Sequence, residues 1–354
     1  MHIVKREEDS RYMNRRRVAL GLMSVFLAGY MAVGCGKKSE TEEKNSTASG
    51  ESQSSSEQGV DTESTTTEEI TTTTESTTAM TIIDGHEYRD PQVVSKNVIN
   101  PLDRWEIIRD CLLKNKDYYM SLDNNAEDTW CYKLMDDHKQ SGSYEYFPIA
   151  DYNGVYVDKN VTDDDKVVYL TFDCGYPSSR TPHILDILKE HDVKANFFVT
   201  KMYLEECSDY AVRMKQEGHM VCNHTVHHKD LTSLSVEEIA SEIVDVAEFF
   251  YEKTGYELDP YFRTPTGSYT KRLMKIIEDC GYMTVFWSFA LYDYDQNNQP
   301  APSEVYDQFV RRHHNGAIIL MHNDSSANEA ALDDVLTYMQ SQGYRFALLD
   351  ELEK

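Results

Sequence analysis

Two histidines four residues apart, His224 and His228, are the most suggestive pair in this chain of 354 residues. Imidazole is the commonest metal ligand near neutral pH, and a four-residue step on a helical turn puts two rings on one side. The spacing therefore indicates a divalent metal site, with the adjacent His227 pointing away. Exposed histidine pairs are also frequent in loops, so the interpretation needs a nearby carboxylate.

Asp173 supplies a candidate carboxylate, because it ends an apolar run of residues 167–172. An unpaired carboxylate is costly in such a place, and Arg263 is a plausible partner. A paired aspartate could hold a water molecule and accept its proton as a general base. The alternative is an aspartate that only caps the turn before Gly175.

His322 ends a second apolar run, residues 317–321. A histidine there can donate a proton to a leaving amine if a neighbouring group keeps the imidazole charged. Asp293 could do this by pairing with His322. The alternative is a core histidine whose hydrogen bonds are satisfied. Together with the histidine pair, these residues favour a hydrolase.

Strand-like apolar runs alternate with amphipathic, helix-like patterns from Lys166 onward. The predicted strands are residues 167–172, 196–199, 220–223, 261–263, 284–287, 317–321 and 345–348. The predicted helices are residues 183–190, 210–217 and 236–254. Ser235 and Glu238 form a capping box at the start of the third helix. This alternation predicts a parallel α/β sheet, and the lack of a glycine-rich phosphate turn favours a closed or nearly closed barrel.

The polar residues with chemical potential follow the carboxyl ends of these predicted strands. In barrel enzymes that edge carries the active site. The sequence therefore predicts that one site gathers Asp173, His224, His228, Arg263, Asp293 and His322.

The first 35 residues have the layout of a secretory signal, with basic residues up to Arg17 and an apolar stretch at residues 18–33. Small residues before Cys35 resemble the lipobox of bacterial lipoproteins, although Ala32 replaces the usual leucine. We therefore expect an extracytoplasmic protein, anchored to the cell membrane through a lipidated Cys35. The alternative is an uncleaved membrane helix, for which the apolar stretch is short.

The remaining chain divides into three predicted parts. Residues 36–80 are almost wholly Ser, Thr and Glu, which predicts a disordered linker. Residues 81–160 hold an amphipathic pattern at residues 105–119 and are interpreted as an extension packed on a catalytic domain at residues 161–354. A separate small domain at residues 81–160 is the alternative.

The net charge of −26 argues against nucleic acid as a partner, because phosphate binding needs clustered Lys and Arg. Six cysteines follow Cys35 without a CxxC motif or regular spacing, which does not indicate a disulfide scaffold. A bridge between Cys111 and Cys131 is conceivable, and all pairings stay open. We expect a monomer.

Several segments resemble, in order and spacing, the five motifs of the polysaccharide deacetylases, the NodB homology domain of carbohydrate esterase family four. They are TFDCGY, HTVHH, RTPTG, the stretch from Trp287 to Asp293, and ILMH. The likeness covers residues 160–354. Within the family, LTFDCGY, KANFFVT, GHMVCNHTVHH, VFWSFALYD and GYRFALLDEL most resemble the branch that deacetylates N-acetylmuramic acid to form muramic δ-lactam in spore walls.

The resemblance implies a distorted (β/α) barrel of about seven parallel strands that hydrolyses an N-acetyl group on a glycan. It also implies a divalent metal, zinc in the first place, with cobalt or manganese as alternatives. The implied roles are general base for Asp173, orientation of the base for Arg263, general acid for His322, tuning of the acid for Asp293, and metal binding for His224 and His228.

One position departs from the family pattern TFDDG, in which the second aspartate is the third metal ligand. Cys174 stands there, and the muramic acid branch has asparagine. Three outcomes are open: the Cys174 thiolate ligates the metal, the thiol is a neutral spectator, or it oxidises and inactivates the enzyme.

These inferences favour a metal-dependent deacetylase that acts on peptidoglycan or another N-acetylated glycan. N-acetylmuramic acid is the favoured sugar, with N-acetylglucosamine as the second choice. The alternatives are a catalytically inactive glycan-binding lipoprotein and an O-acetyl esterase of the same fold.

Overall fold

The computed structural model describes residues 80–126, 129–162 and 164–352. The predicted signal at residues 1–35, the predicted lipidation site Cys35 and nearly all of the predicted linker at residues 36–80 lie outside the described residues. Over the described ranges, no helix combines the length and the apolar character needed to cross a membrane.

The elements are numbered here in chain order over the described residues. The strands are β1 (Met80–Ile83), β2 (His86–Arg89), β3 (Tyr132–Lys133), β4 (Gly142–Ser143), β5 (Gly154–Val155), β6 (Val167–Cys174), β7 (Asn196–Val199), β8 (Met220–Asn223), β9 (Asp259–Phe262), β10 (Met283–Val285), β11 (Phe289–Ala290), β12 (Ala317–His322) and β13 (Arg345–Phe346). The helices are α1 (Pro91–Ser95), α2 (Pro101–Lys114), α3 (Lys116–Ser121), α4 (Thr181–Glu190), α5 (Lys201–Gln216), α6 (Val236–Thr254), α7 (Lys271–Asp279), α8 (Pro302–Arg312) and α9 (Ser326–Ser341).

The main sheet has the order β11-β12-β6-β7-β8-β9-β10-β5, with β13 beside the first residues of β6. All of its ladders are parallel. After β10, the Phe286 N–H donates to the Val155 carbonyl at 2.8 Å, and the Ser288 N–H donates to the Ile318 carbonyl at 3.0 Å. This stretch links both ends of the sheet, so the predicted distorted (β/α) barrel is confirmed.

All seven predicted runs form strands, and the sheet gains two more, β5 and β11. Each added strand has only two residues, too few for a period to be read from the sequence. Two predicted strands are shorter than expected, since β10 ends at Val285 and β13 ends at Phe346.

Strand β6 shows how the barrel separates its two faces. Every residue of β6 is buried, as a parallel strand covered on both sides requires. Val168, Leu170, Phe172 and Cys174 pack in the cluster beneath the helices, whereas Val167 and Tyr169 belong to a different cluster. Because side chains alternate along a strand, Asp173 lies on the face opposite Cys174.

The helices follow their capping residues. Helix α6 has the predicted bounds, and the predicted capping box of Ser235 and Glu238 is present. Helix α5 begins at Lys201, nine residues before the predicted start at residue 210, with Thr200 as its N-cap. Cys207 within α5 has φ −120° and ψ 25°, and this break interrupts the helical period on which the prediction depended.

The segment before the barrel packs against its helices. The predicted helix at residues 105–119 forms as α2 and α3, separated at Asn115. Trp105 stacks on Tyr282 with ring centroids 5.7 Å apart. The Tyr88 and Tyr119 hydroxyls donate to the buried Asp279 carboxylate at 2.8 and 2.6 Å. These contacts combine apolar burial with hydrogen bonds that satisfy the buried charge.

The six cysteines of the described chain, including Cys111 and Cys131, are free thiols. The conceivable bridge between Cys111 and Cys131 is therefore not formed in this structure.

Candidate active site

Asp173 and His322 face each other across two neighbouring strands. Their Cα atoms are paired in the register of β6 and β12, at the carboxyl ends of these strands. This is the edge at which the sequence predicts the active site. Strand register alone therefore brings the predicted base and the predicted acid together.

Arg263 holds Asp173 from within the barrel. The fully buried guanidinium donates from Nη1 to Asp173 Oδ1 at 2.7 Å and to Thr171 Oγ1 at 2.8 Å. Its Nε donates to the Val285 carbonyl at 3.0 Å, and the Phe198 ring lies 4.2 Å from Cζ. Burial alone would raise the pKa of Asp173, but the charge and hydrogen bond of Arg263, together with the neighbouring His224 and His322, outweigh burial and lower the pKa below its ordinary value. The carboxylate is therefore ionised at neutral pH.

Asp293 holds His322 in the charged form. His322 Nδ1 lies 2.8 Å from Asp293 Oδ1, and the His322 backbone N–H donates to Oδ2 at 2.9 Å. The Asn328 amide also donates to Oδ2. Burial would lower the pKa of His322, but the Asp293 carboxylate raises it to about 9. His322 therefore carries a proton at neutral pH. Asp293 contacts Nδ1 and the backbone N–H of His322, not Nε2.

His224 and His228 lie on a loop after β8, so the predicted helical turn is wrong. Thr225 and His228 have left-handed backbone, with φ 75° and 54°. The Thr225 hydroxyl accepts the His228 N–H at 3.0 Å. This bent loop still brings the two imidazole rings together, with centroids 4.9 Å apart.

Glu242 of α6 holds this loop in place. Its buried carboxylate accepts the backbone N–H groups of Val226 and His227 at 3.1 and 2.8 Å through Oε2. Oε1 lies 2.8 Å from His227 Nδ1 and 3.2 Å from Lys229 Nζ. His227 therefore points away from the two other histidines, as the sequence predicts.

The two histidines fit a divalent cation. His224 Nδ1 lies 2.8 Å from the Arg263 carbonyl, which can only accept, so the Nε2 atom carries the lone pair. That Nε2 is buried without a hydrogen-bond partner, 3.6 Å from Asp173 Oδ2. Burial, reinforced by His224, lowers the pKa of His228 to about 3, and burial also lowers the pKa of His224. Both imidazole rings are therefore neutral at neutral pH, the state in which imidazole ligates a metal.

Cys174 does not join the histidines. Its side chain is fully buried in the hydrophobic cluster beneath the helices, opposite the face of Asp173. Burial, reinforced by the charge of Asp173, raises the pKa of the thiol well above its ordinary value. Across the described residues, no group of three or more His, Cys, Asp or Glu side chains could hold a metal. The ligand interpretation of Cys174 is therefore not supported by this arrangement.

Three supporting residues were not predicted: Thr171, Glu242 and Asn328. Thr171 could have been found, because it shares the face of Asp173 two residues earlier on β6. Glu242 and Asn328 come from helices, and nothing in their local sequence marks them as partners of the site.

The aromatic residues near this edge divide into two groups. Phe286 and Trp287 are buried core residues. Tyr292 is 40% exposed, and its ring lies 4.7 Å from that of Tyr294. The Tyr294 ring lies 6.3 Å from that of His322, so this pair lies beside the predicted acid.

Known proteins are similar to this chain in sequence and in architecture. The sequence model of the family described as polysaccharide deacetylase matches residues 160–285. The peptidoglycan-N-acetylmuramic acid deacetylase PdaA of Bacillus subtilis is 37% identical over 230 residues, which is 64% of this chain and 86% of that protein. The chain belongs to the polysaccharide deacetylase family. Members of this family are hydrolases, and the resemblance seen in the sequence is thereby confirmed.

Two further similarities support the family assignment. A solved structure of Bacillus subtilis PdaA, titled a family 4 carbohydrate esterase, matches with a TM-score of 0.61 and 36% identity, over 65% of this chain and 98% of that chain. A peptidoglycan-N-acetylglucosamine deacetylase of Bacillus cereus is 32% identical over 200 residues, or 56% of this chain and 92% of that protein. This polysaccharide deacetylase therefore has relatives named for two different amino sugars.

Proposed function

We propose that this polysaccharide deacetylase removes the acetyl group from an amino sugar of peptidoglycan, with N-acetylmuramic acid as the favoured substrate. One observation carries the proposal: Asp173 and His322 are register partners, one paired with Arg263 and the other with Asp293. Hydrolysis of an amide needs both an acceptor for the proton of water and a donor to the leaving nitrogen. This pair supplies both within one site.

Asp173 acts as the general base. Its carboxylate is ionised and fixed through Oδ1 by Arg263, which leaves Oδ2 on the side of His224. A water molecule held there gives its proton to Asp173 as its oxygen attacks the acetamide carbonyl. Arg263 orients the carboxylate and takes no part in the proton transfer.

His322 acts as the general acid. Amine nitrogen is a poor leaving group until it is protonated, so the C–N bond breaks as His322 delivers its proton. Asp293 stabilises the charged imidazole before this step. The Asn328 amide and the His322 backbone N–H keep the Asp293 carboxylate in place.

His224 and His228 would hold the divalent cation, zinc in the first place. When bound, such a cation polarises the carbonyl, stabilises negative charge on its oxygen and makes a nearby water more acidic. The chain contributes the neutral state of both rings and the fixed tautomer of His224. The family pattern would place a third protein ligand where Cys174 stands, so water molecules would complete the coordination.

The favoured sugar follows from the named relatives and from the sequence segments of the N-acetylmuramic acid branch. The lipobox at Cys35 supports a place outside the cytoplasm, with the enzyme anchored as a monomer to the membrane that faces peptidoglycan. The linker of residues 36–80 would then give the barrel its reach.

Acetate release tests this function. The full-length chain, loaded with zinc, cobalt or manganese in turn, is incubated with intact peptidoglycan, with glycan strands lacking peptides, and with N-acetylglucosamine oligomers. We expect acetate from the muramic acid-containing substrates, and mass spectrometry should locate the free amine on muramic acid. No acetate from any substrate with any metal would contradict the proposal, and an O-acetylated substrate distinguishes an esterase.

The position of Cys174 favours one second candidate, an inactive glycan-binding protein of the same fold. The thiol is in the hydrophobic cluster, and the site lacks the carboxylate of the family pattern. This candidate predicts binding of glycan strands without acetate release, and no effect of Asp173→Asn on that binding. Turnover by the natural chain excludes it.

A further inference from the structure

Trp130 lies outside residues 160–285, which match the family, yet it is fully buried against the stretch that follows β10. Its indole N–H donates to the Trp287 carbonyl at 2.8 Å. Its ring stacks on Phe286, with centroids 4.5 Å apart and an interplanar angle of 22°. One side chain therefore holds two consecutive residues of this stretch, by a hydrogen bond and by ring contact.

The same stretch holds Arg263. Arg263 Nε donates to the Val285 carbonyl at 3.0 Å, and Nη2 donates to the Phe286 carbonyl at 3.4 Å. The Trp287 ring lies 5.8 Å from Cζ of the guanidinium. Residues 285–287 thus provide acceptors and an aromatic wall for Arg263, and Trp130 fixes two of these three residues.

The backbone of Trp130 is anchored to the segment that follows Arg263. Its N–H donates to the Gly267 carbonyl at 2.7 Å, and Thr129 forms a bridge with Ser268. Gly267 has φ 72°, and a Cβ there would lie 3.0 Å from Trp130 Cβ and 2.8 Å from Trp287 Cη2. Only glycine suits both this backbone and this space, so Gly267 makes room for the indole.

We propose that Trp130 is a positioning residue that fixes Arg263, and through it Asp173, so that the segment preceding the barrel completes the active site. The inference rests on the proposed function in that Asp173 is the base. Trp130 touches no reacting atom. Its loss lets residues 285–287 shift, which moves the guanidinium and misplaces the carboxylate, and small misplacements of a catalytic group lower the rate more than binding.

Kinetics of tryptophan variants in the full-length chain test the proposal. Trp130→Phe keeps the ring and removes the N–H donor, whereas Trp130→Ala removes both. Trp105→Ala is the matched control, because Trp105 also joins the preceding segment to the barrel, but its ring stacks on Tyr282 and not on residues 285–287. We expect Trp130→Ala to lower kcat for acetate release about 100-fold with KM little changed. The kcat of Trp130→Phe should lie between those of Trp130→Ala and the natural chain.

The control defines the contrary result. Trp105→Ala should lower the melting temperature and leave kcat within about twofold of the natural chain. If Trp130→Phe and Trp130→Ala also leave kcat within about twofold, or if all variants lose kcat only in proportion to lost stability, the proposal is overturned.

A double-mutant cycle asks whether Trp130 acts through Arg263. In an Arg263→Lys background the guanidinium is absent, so adding Trp130→Phe should lower kcat by no more than about twofold further. A purely structural role of Trp130 predicts that the two losses multiply. Multiplying losses would therefore overturn the assigned route.

A measurement without turnover separates this inference from the proposed function. The buried Arg263 Nε–H should give a protected signal in ¹⁵N nuclear magnetic resonance spectra, since it donates to the Val285 carbonyl. Trp130→Ala should speed its exchange with solvent by about tenfold or more, and Trp105→Ala should not. Unchanged exchange overturns the inference even in an active enzyme. Absence of acetate release from the natural chain contradicts the proposed function alone.

Discussion

Asp173 and His322 stand on neighbouring strands, each held by one buried ionic partner, whereas His224 and His228 stand on a loop. Strand register places the first pair, because the ladder between β6 and β12 leaves no freedom at its carboxyl end. The second pair depends on left-handed backbone and on the carboxylate of Glu242. The strands therefore fix the two residues that transfer protons, while contacts of a loop, among them those with the Glu242 side chain, fix the two histidines suited to a metal.

This difference predicts different failures. Substitutions in the strand half should stop turnover and leave the fold intact. Substitutions of residues that support the loop of His224 and His228 should weaken metal binding, and excess metal should restore activity.

The largest effect is expected for Asp173→Asn. The amide keeps the shape of the side chain but cannot accept the proton of water, and general base catalysis contributes about 10²–10⁴ in rate. We expect kcat for acetate release to fall about a thousandfold while the chain still folds, with a lower melting temperature because the buried Arg263 guanidinium loses its charged partner. A variant that retains a tenth or more of the natural rate would remove Asp173 from the role of base.

Asp293→Asn should change the pH dependence of the enzyme. His322 works in its protonated form, and Asp293 raises its pKa to about 9, so activity of the natural chain should be lost as pH rises through 9. Removing the charge moves this pKa toward the ordinary value of 6.5, and the alkaline limb should shift down with it. At pH 8 we expect kcat to fall about tenfold or more.

The pH profile of kcat, recorded with zinc at saturation, provides the measurement. An alkaline limb at the same pH in the natural chain and in Asp293→Asn would show that another group sets it, and His322 would lose its role as acid.

Glu242→Ala should act on metal binding. Without the carboxylate, the backbone N–H of His227 loses its acceptor and that of Val226 keeps only the Glu242 backbone carbonyl, so the loop holds His224 and His228 together less firmly. Loss of such supporting partners typically costs 10–100-fold in metal affinity, so we expect about that loss for zinc, measured by competition with a chromophoric chelator. Excess zinc should restore most of kcat.

Glu252→Ala is the matched control, because Glu252 lies exposed on the same helix α6. It should leave zinc affinity unchanged. Equal losses in both variants would mean that α6, and not the Glu242 carboxylate, sets the loop.

The smallest effect is expected for Cys174→Ala. The thiol lies in the hydrophobic cluster, so its removal should lower stability by about 1 kcal/mol, or roughly 2–4 °C in melting temperature. Zinc affinity and kcat should stay within about twofold of the natural chain. A large loss of zinc affinity would instead restore Cys174 as a metal ligand.

Much of this site could be predicted from sequence because it follows strands. Apolar runs end at Asp173 and His322. The capping box of Ser235 and Glu238 correctly predicts where helix α6 begins. Parallel strands share an edge, so the gathering of these residues follows from the pattern alone. What a strand end carries is visible in the sequence before any tertiary contact is known.

The unpredicted parts depend on contacts between residues far apart in the chain. The helical turn at His224 failed because left-handed residues and Glu242, not local propensity, shape that loop. Trp130 sits among polar residues, and its partners Phe286 and Trp287 come more than a hundred residues later. The hydrophobic periodicity of a helix or strand predicts which of its own residues are buried. It does not predict that a single side chain from a distant part of the chain, such as Trp130, packs against it.

Strand β6 also bears on how the barrel can form. Val168 pairs with Ala317 on one side and with Phe346 on the other, so its neighbours come from distant parts of the chain. Pairings of such long sequence separation close large loops and slow folding. β7 can pair with the last residues of β6 early, but until β12 has been synthesised the other edge of β6 lacks its partner and can join the wrong strand. The barrel is thus assembled late, and a nascent chain needs protection from aggregation until then.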